Sequence, residues 1–553
     1  MKNEFAFLYP PPASLRFSGA DLDIRSLCFP LEMFKKFAML FDHFAIKNRN
    51  RGLEVIFQDR GDLGAEEYAL DCGPGRIVLS SSRPRGQFYA VSTLLQILAG
   101  HEAAGSIPCF SLRDAPQVSF RGFMLRGGEG AAPAIPGLRR LLLKLALLKF
   151  NHFALPVAAL APTADGAPAR SDIKALVALA GVTGVEIIWI DDDERALFHY
   201  ASGSPGSDRV CERPLLPAAG ESAAGSRPDA WLDFFLARQR QGQARGKQTA
   251  VWSDAFLLHP EWIRKIPRTV LVLNRSEVSG RPEYYSNAVL PFKRHHVAQA
   301  LCPVLCGRDR LIPDARAGMA RVEAAFAAAR TWKLAGVMLA SDEREGGGCL
   351  PEAAAMIHFQ AGCLLWSGRP PGPAAFSRWA LGREEPDLFR VYSFLAQAEH
   401  RLPQAHGRYL FEDPLLAPFS SQDDAREIEN HFHKAALYLE KREVGGDELA
   451  GFIDFCRHLY EFIAVKVRFS ARLGALLREE NGGEEVSRQA AWLDREAGRL
   501  QAAYLKLWWR HLPPEGFPES TGGFALLQER FHYLSRAASS AAAREKLLAE
   551  LQN

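Results

Sequence analysis

The sequence lacks the paired cysteines of a disulfide framework or a zinc ribbon. Its nine cysteines include no Cys-x-x-Cys pair, and most stand inside apolar segments. Cys302 and Cys306 lie near His295 and His296, but no second ligand pair has a spacing typical of zinc sites. The cysteines are therefore interpreted as reduced core thiols, and neither a metal nor any other cofactor is predicted.

Long apolar runs are also missing. No stretch reaches the ~18 apolar residues typical of a membrane span, because residues 141–153 are interrupted by Lys144, Lys149 and Asn151. Near the start, a run of three prolines from Pro10 precedes any apolar segment of the kind found in secretory signals. A cytoplasmic protein without a membrane partner is expected.

Neither sign of charge dominates. The chain has 67 Lys and Arg against 64 Asp and Glu, a formal net charge of +3, which gives no electrostatic case for binding nucleic acid. With 553 residues, of which 48% are hydrophobic, it is a globular chain of several domains at ~100–200 residues each. The partner is expected to be neutral.

The first part of the chain mixes strand and helix patterns. Strand-like runs at 68–72 and 76–80 flank a Gly-Pro-Gly turn and predict a hairpin, and residues 86–99 have helical spacing of apolar side chains. Residues 107–116 are interpreted as a connector punctuated by proline. Together these patterns predict a small α/β domain over residues 1–116.

Residues 117–380 alternate short apolar runs with helical patterns. Such alternation favours a (β/α)₈ TIM-type barrel over an open sheet. The Gly-, Ser-, Ala- and Pro-rich interval 193–231 has no convincing strand, which predicts a shortened or lost unit. The candidate strands cover residues 120–125, 152–157, 185–190, 249–252, 270–273 and 336–339.

The last part of the chain shows long helical patterns without strand signals. Apolar residues recur at i, i+3 and i+4 across 423–442, 447–477 and 484–510, with charged residues between them. An α-helical domain is therefore predicted over residues 381–553.

Several short motifs follow one another in a fixed order. They are GQFYAVSTLLQ at 86–96, RGFML at 121–125, KFN at 149–151, VWSDAFLLHPE at 251–261 and LLWS at 364–367. In residues and in order, this set resembles the family 20 glycoside hydrolases, the β-N-acetylhexosaminidases. The resemblance implies the same accessory domain and barrel, with a pocket for N-acetylhexosamine-containing carbohydrate.

The catalytic acids that this resemblance implies are missing. In the family an adjacent Asp-Glu pair ends the fourth strand, where Asp holds the substrate acetamido group and Glu acts as acid and base. The only glutamates in residues 195–230 are Glu212 and Glu221, and neither follows an Asp. Arg126 and Glu129 reverse the charges of the Asp-x-x-Arg that ends the family's first strand. The chain therefore resembles a divergent member of the family.

Other pocket positions are changed as well. Ala154 and Pro156 replace polar groups of the second strand, and the run from Ala340 replaces a Trp-x-Glu signature of the last strand. Trp252 and Asp254 stand where the family places substrate-binding residues.

Acids elsewhere are candidates for relocated catalytic groups. Asp193 and Glu194 follow the third strand, and Asp342 follows the last strand, at the end of the barrel where active sites lie. The alternative for each cluster is a solvated loop or a set of acids at a helix N-terminus.

Three hypotheses follow. The first is a family 20-like protein with lost or strongly altered catalysis, which binds a carbohydrate or a protein partner. The second is an active exo-acting β-N-acetylhexosaminidase, or a related glycosidase, with relocated acids. The third is an interaction protein that acts through its helical domain.

Overall fold

The structure is a computed structural model. It describes residues 5–25, 27–49, 52–125, 135–156, 170–190, 198–200, 228–244, 246, 248–276, 283, 285–305, 310–341, 349–402, 404–416, 419, 421–442, 447–508 and 519–551. None of the helices in these ranges is both long and apolar enough to cross a membrane.

The N-terminal part forms a mixed six-stranded sheet in the order β1-β6-β4-β5-β3-β2. The predicted hairpin is confirmed, because β4 and β5 pair antiparallel with Tyr68 opposite Ser81, and the helix that follows is α3. The strands are β1 (Ser14–Asp23), β2 (Leu27–Cys28), β3 (Leu53–Asp59), β4 (Tyr68–Gly73), β5 (Arg76–Ser81) and β6 (Ser106–Asp114), and the helices are α1 (Leu31–Lys36), α2 (Ala38–His43) and α3 (Pro84–Gly100).

The interpretation of residues 107–116 as a connector is wrong for most of that segment. Strand β6 occupies Ser106–Asp114 and pairs with β1 on one side and β4 on the other. Its Pro108 lies opposite Asp21, where the register with β1 shifts, and a proline is tolerated at such an irregularity. Pairing with distant strands therefore overrode the local proline signal.

The middle of the chain forms a closed barrel of eight strands, β7 to β14. Seven strands run parallel, whereas β10 has three residues and pairs antiparallel with both β9 and β11. The predicted barrel with one shortened unit is thus confirmed. The strands are β7 (Phe120–Leu125), β8 (His152–Pro156), β9 (Glu186–Ile190), β10 (Phe198–Tyr200), β11 (Gln248–Trp252), β12 (Val270–Ser276), β13 (Ala298–Pro303) and β14 (Gly336–Ser341).

Strand β13 was not among the predicted strands, because its polar Gln299 interrupts the apolar pattern. In the fold this side chain is buried, and its amide oxygen accepts a hydrogen bond of 2.9 Å from Asn274 Nδ2 on β12. Around the barrel lie α4 (Ile135–Leu147), α5 (Arg170–Thr183), α6 (Pro228–Ala244), α7 (Asp254–Leu258), a 3-10 turn (Pro260–Lys265), α8 (Tyr285–Lys293), α9 (Ala315–Trp332) and α10 (Pro351–Ser367).

The rest of the described chain is helical, as predicted. The long helices pack side by side in chain order because their apolar residues lie on one face. They are α11 (Pro373–Leu381), α12 (Pro386–Arg401), α13 (His406–Phe411), α14 (Gln422–Glu440), α15 (Asp447–Arg478), α16 (Gly482–Trp508), α17 (Glu519–Ala537) and α18 (Ala541–Glu550).

A buried polar cluster joins the N-terminal sheet to the barrel. Lys149 Nζ lies 2.8 Å from Asp114 Oδ2 and donates a hydrogen bond of 2.7 Å to the Tyr68 hydroxyl. Trp366 donates from Nε1 to the same Asp114 oxygen at 2.9 Å. Beside it, Arg121 Nη2 pairs with Glu66 Oε1 at 2.8 Å. Burial lowers the pKa of Lys149, although Asp114 opposes this effect.

The helical part is anchored to the segment that follows β13. Arg310 Nη1 lies 2.8 Å from Glu399 Oε2, and Leu311 N–H donates to His406 Nε2 at 3.0 Å. Since that nitrogen accepts, His406 carries its proton on Nδ1, which lies 2.7 Å from Glu399. This network orients a segment at the barrel end where the strands terminate.

Candidate ligand site at the barrel mouth

The carboxyl ends of the parallel barrel strands define the end at which TIM-type barrels carry their sites, here called the mouth. Side chains that face the barrel axis form one apolar cluster, the lumen cluster. Its buried members are Phe120, Met124, Ala154, Ile188, Ala250, Leu273, Ala300, Cys302, Val304, Met338 and Ala340, and Ile190, Trp252, Leu271 and Ala335 pack against them partly buried.

Two of the pocket positions that depart from the resemblance, Ala154 and Ala340, lie within the described residues. Ala154 on β8 and Ala340 on β14 are fully buried members of the lumen cluster. A methyl group at these positions supplies no hydrogen bond to a sugar hydroxyl. The described lumen therefore offers an apolar surface beneath the mouth.

Trp252 is the last residue of β11 and lies at the mouth. It is paired in register with Leu273 on β12, and the next residue, Ser253, donates its backbone N–H to Leu273 O at 3.0 Å. Its side chain is partly buried and packs against the lumen cluster. A flat aromatic ring held by the strand in this way is suited to cover one face of a ligand.

Asp254, predicted to bind substrate beside Trp252, occupies a different environment. It is the first residue of the five-residue α7 and its side chain is exposed. The chain turns out of the strand at Ser253, so Trp252 remains with the lumen while Asp254 meets solvent. Only one of the two predicted substrate-binding residues therefore packs against the lumen cluster.

The acids predicted as relocated catalytic groups, Asp193, Glu194 and Asp342, lie outside the described residues. The same holds for Arg126 and Glu129 of the first strand end, and for the two glutamates of the interval 195–230. Their roles stay predictions.

Arg275 is a mouth residue that the sequence patterns did not single out. The predicted strand stopped at Leu273, whereas β12 continues to Ser276. Side chains alternate along a strand, and Leu271 and Leu273 face the lumen, so Arg275 falls on the same side. The repeat Leu-x-Leu-x-Arg was the signal that would have revealed it.

Charged side chains pair with one another at the barrel end opposite the mouth. Arg85 Nη2 lies 2.9 Å from Glu186 Oε1, and His152 Nε2 lies 3.6 Å from Glu186 Oε2. Burial opposes ionisation of Glu186, but His152 and Arg85 lower its pKa to about 2. These groups pair with one another at the amino ends of the strands, where polar residues in this fold serve stability.

No metal centre is found among the described residues, where no three His, Cys, Asp or Glu side chains are grouped to hold an ion. His295 and His296 precede β13, whereas Cys302 lies near its other end. Six residues of extended strand separate them by about 20 Å. Six of the seven described cysteines are buried free thiols, as the sequence predicted for most of them.

Comparison with solved structures gives likenesses at low identity. A β-N-acetylhexosaminidase from Bacteroides fragilis NCTC 9343 is 15% identical, with 68% of this chain and 94% of that chain covered and a TM-score of 0.48. An exo β-N-acetylglucosaminidase from Vibrio harveyi, in complex with N-acetylglucosamine, is 15% identical, with 71% and 78% covered and a TM-score of 0.44. The protein CpGH84D is 12% identical, with 95% and 99% covered and a TM-score of 0.45.

A family model, "Glycosyl hydrolase family 20, domain 2", matches residues 38–115. This segment runs from α2 through β3, β4, β5 and α3 to the end of β6. It contains the hairpin and the GQFYA helix on which the sequence resemblance rested. In this segment, the chain is similar to domain 2 of the family 20 glycosyl hydrolases.

Proposed function

We propose that this protein binds an N-acetylhexosamine-containing carbohydrate at the barrel mouth and does not hydrolyse it. The observation that carries the proposal is the lumen cluster, which is apolar at Ala154, where the resemblance implies a polar group, and has only a methyl group at Ala340, where it implies an aromatic one.

Glycoside hydrolysis by two carboxyl groups requires them about 5–10 Å apart at the scissile bond. The fourth position of the barrel is held by β10, three residues with the sequence Phe-His-Tyr that run antiparallel to both neighbours. Neither that strand nor the sequence 195–230 contains an adjacent Asp-Glu pair. These features favour a protein without the family's acid pair.

Trp252 remains at the end of β11, where the resemblance places a substrate-binding aromatic residue. Its ring packs on the lumen cluster, so a ligand would meet a preformed apolar wall. A binding role needs only such a wall and a few polar groups, whereas catalysis also needs positioned acids.

The test combines a turnover assay with a binding assay on the full chain. We expect no release of p-nitrophenol from p-nitrophenyl N-acetyl-β-D-glucosaminide above buffer, and saturable binding of N-acetylglucosamine in a calorimetric titration. Trp252→Ala should weaken binding about tenfold, because ~50 Å² of lost apolar contact at ~25 cal/mol/Å² is ~1.3 kcal/mol. Trp492→Ala, at a 37% exposed tryptophan of the helical part, is the matched control and should bind like the wild type.

Two results would overturn the proposal. Hydrolysis that is lost in Asp193→Asn, Glu194→Gln or Asp342→Asn would establish the active alternative with relocated acids. Absence of any saturable sugar binding would remove the carbohydrate role and favour a protein partner instead.

A further inference from the structure

Two buried thiols lie side by side on neighbouring strands of the N-terminal sheet. Cys72 on β4 stands opposite Phe110 on β6, and Cys109 is the adjacent residue of β6. Both cysteines are free, with side chains 5% and 0% exposed, and their thiol groups are in hydrogen-bonding contact. The antiparallel pair β4 and β6 therefore holds two sulfur atoms next to each other.

An irregularity in the sheet explains why the two thiols meet. Side chains alternate along a regular strand, so Cys109 and Phe110 would ordinarily point to opposite faces. Here both are buried, and the register between β1 and β6 shifts beside them, between Phe17 and Asp21. Such a shift re-aims a side chain, and the Cys109 thiol accordingly lies against that of Cys72.

The backbone spacing suits a covalent bridge. Cα atoms directly opposite in an antiparallel pair are about 4.5–5.5 Å apart, and one residue along the strand adds a rise of about 3.4 Å. The Cα atoms of Cys72 and Cys109 are therefore about 5.6–6.5 Å apart, within the range of about 4.4–6.8 Å found in disulfides. A bridge can close here without displacing the strands.

We infer that Cys72 and Cys109 are a redox pair that closes to a disulfide on reaction with hydrogen peroxide. The Cys72 sulfur attacks one peroxide oxygen, the O–O bond breaks, and a sulfenic acid and one water result. The Cys109 sulfur then displaces the hydroxyl from the Cys72 sulfur, which forms the S–S bond and releases a second water. The two thiols together lose two electrons and two protons, and the peroxide is reduced.

Closure should be slow, over hours rather than seconds. Burial, and to a smaller extent Cys109, raises the pKa of Cys72 to about 12, so little of the reactive thiolate is present at neutral pH. The pair is therefore a site of lasting oxidation under prolonged exposure to peroxide and not a rapid sensor.

The bridge would fasten the strand pair that carries the buried polar cluster. Tyr68 and Asp114 are paired at the other end of β4 and β6, and both contact Lys149. A cross-link also removes freedom from the unfolded chain between the two cysteines. Oxidation should therefore stabilise the folded protein.

The experiment exposes the full chain to hydrogen peroxide, alkylates the remaining thiols after denaturation and maps the peptides by mass spectrometry. We expect a linked peptide pair that contains Cys72 and Cys109 and has lost two hydrogen atoms. Tm should rise by about 5 °C, from the entropy of closing the loop between the cysteines in an unfolding unit of about 380 residues. Dithiothreitol should reverse both changes.

Variants assign the change to this pair. Cys72→Ala and Cys109→Ala should each lose the linked peptide and the rise in Tm on oxidation. Cys363→Ala is the matched control, because Cys363 is a fully buried free thiol of α10, and this variant should keep both.

Cys28 is partly exposed and reports whether the peroxide treatment was sufficient. If Cys28 is oxidised while Cys72 and Cys109 are recovered as alkylated thiols, the inference is wrong, and this comparison requires no variant to fold. It is also wrong if either cysteine is found linked to a different one. A fall in Tm when the linked peptide forms would contradict the spacing on which the inference rests.

Discussion

Replacing Lys149 by methionine tests the buried cluster between the N-terminal sheet and the barrel. The Lys149 side chain is 1% exposed and its partner Asp114 is fully buried. Methionine fills a similar volume but leaves the Asp114 carboxylate without its cation, and breaking a buried pair in this way costs about 3–5 kcal/mol. The lower end is expected, because Tyr68 and Trp366 still donate to Asp114.

The assay is thermal unfolding followed by circular dichroism and intrinsic fluorescence. For a unit of about 380 residues with an unfolding entropy of about 2.1 cal/mol/K per residue, this loss lowers Tm by about 4–6 °C. Adding Asp114→Asn to Lys149→Met removes the orphaned charge, so the double variant should lose about 0.5–3 kcal/mol less than the sum of the single variants. The exposed Lys265→Met serves as control.

A decrease in Tm of less than 1 °C for Lys149→Met would refute the stabilising role of this buried pair. So would strict additivity of the two substitutions, because it would mean that Lys149 and Asp114 do not stabilise each other across the interface.

Two further predictions concern pH. Because the pKa of Glu186 is lowered from 4.5 to about 2, its charge adds stability above pH 4.5, and this stability is lost as pH falls toward 2. The Tm of Glu186→Gln should therefore decrease less between pH 4.5 and 2 than the Tm of the wild type. Burial lowers the pKa of Lys466 from 10.5 to about 7, although Glu412 and Asp413 oppose this effect. Between pH 7 and pH 10.5 the folded state therefore binds fewer protons than the unfolded chain. Stability should rise with pH across that window in the wild type and less in Lys466→Met.

Both pH predictions are tested by comparing the Tm of the wild type with that of the variant at each pH, measured in parallel by differential scanning calorimetry. Exposed Glu102→Gln is the control for the acid series. A Glu186→Gln profile parallel to the wild type below pH 4.5, or a Lys466→Met difference that stays constant from pH 7 to 9, would contradict the respective prediction. Lys466 Nζ also donates to Tyr409 O and Glu412 O at 2.9 and 2.7 Å, so the loss of stability in Lys466→Met should be greatest at high pH, where the wild-type lysine is neutral and keeps these hydrogen bonds.

The candidate site was only partly predictable. Trp252 was predicted to bind substrate because its motif resembles that of the family, and the described lumen is apolar at Ala154 and Ala340. Arg275 was missed because a single arginine after an apolar run looks like the end of a strand. Its position on the lumen side depends on two more paired residues, Asn274 with Leu301 and Arg275 with Cys302, which only the neighbouring strand supplies.

By itself, the sequence determined the elements whose patterns are local. The hairpin around Gly73, the period of α3 and the long C-terminal helices follow from spacing within one segment, and the order of motifs identified the barrel. The tertiary structure decided what depends on distant partners: β6 as a paired strand despite Pro108, the antiparallel course of β10, and the burial of Lys149 against Asp114. Pairing and burial join residues far apart in the chain, so no local pattern records them.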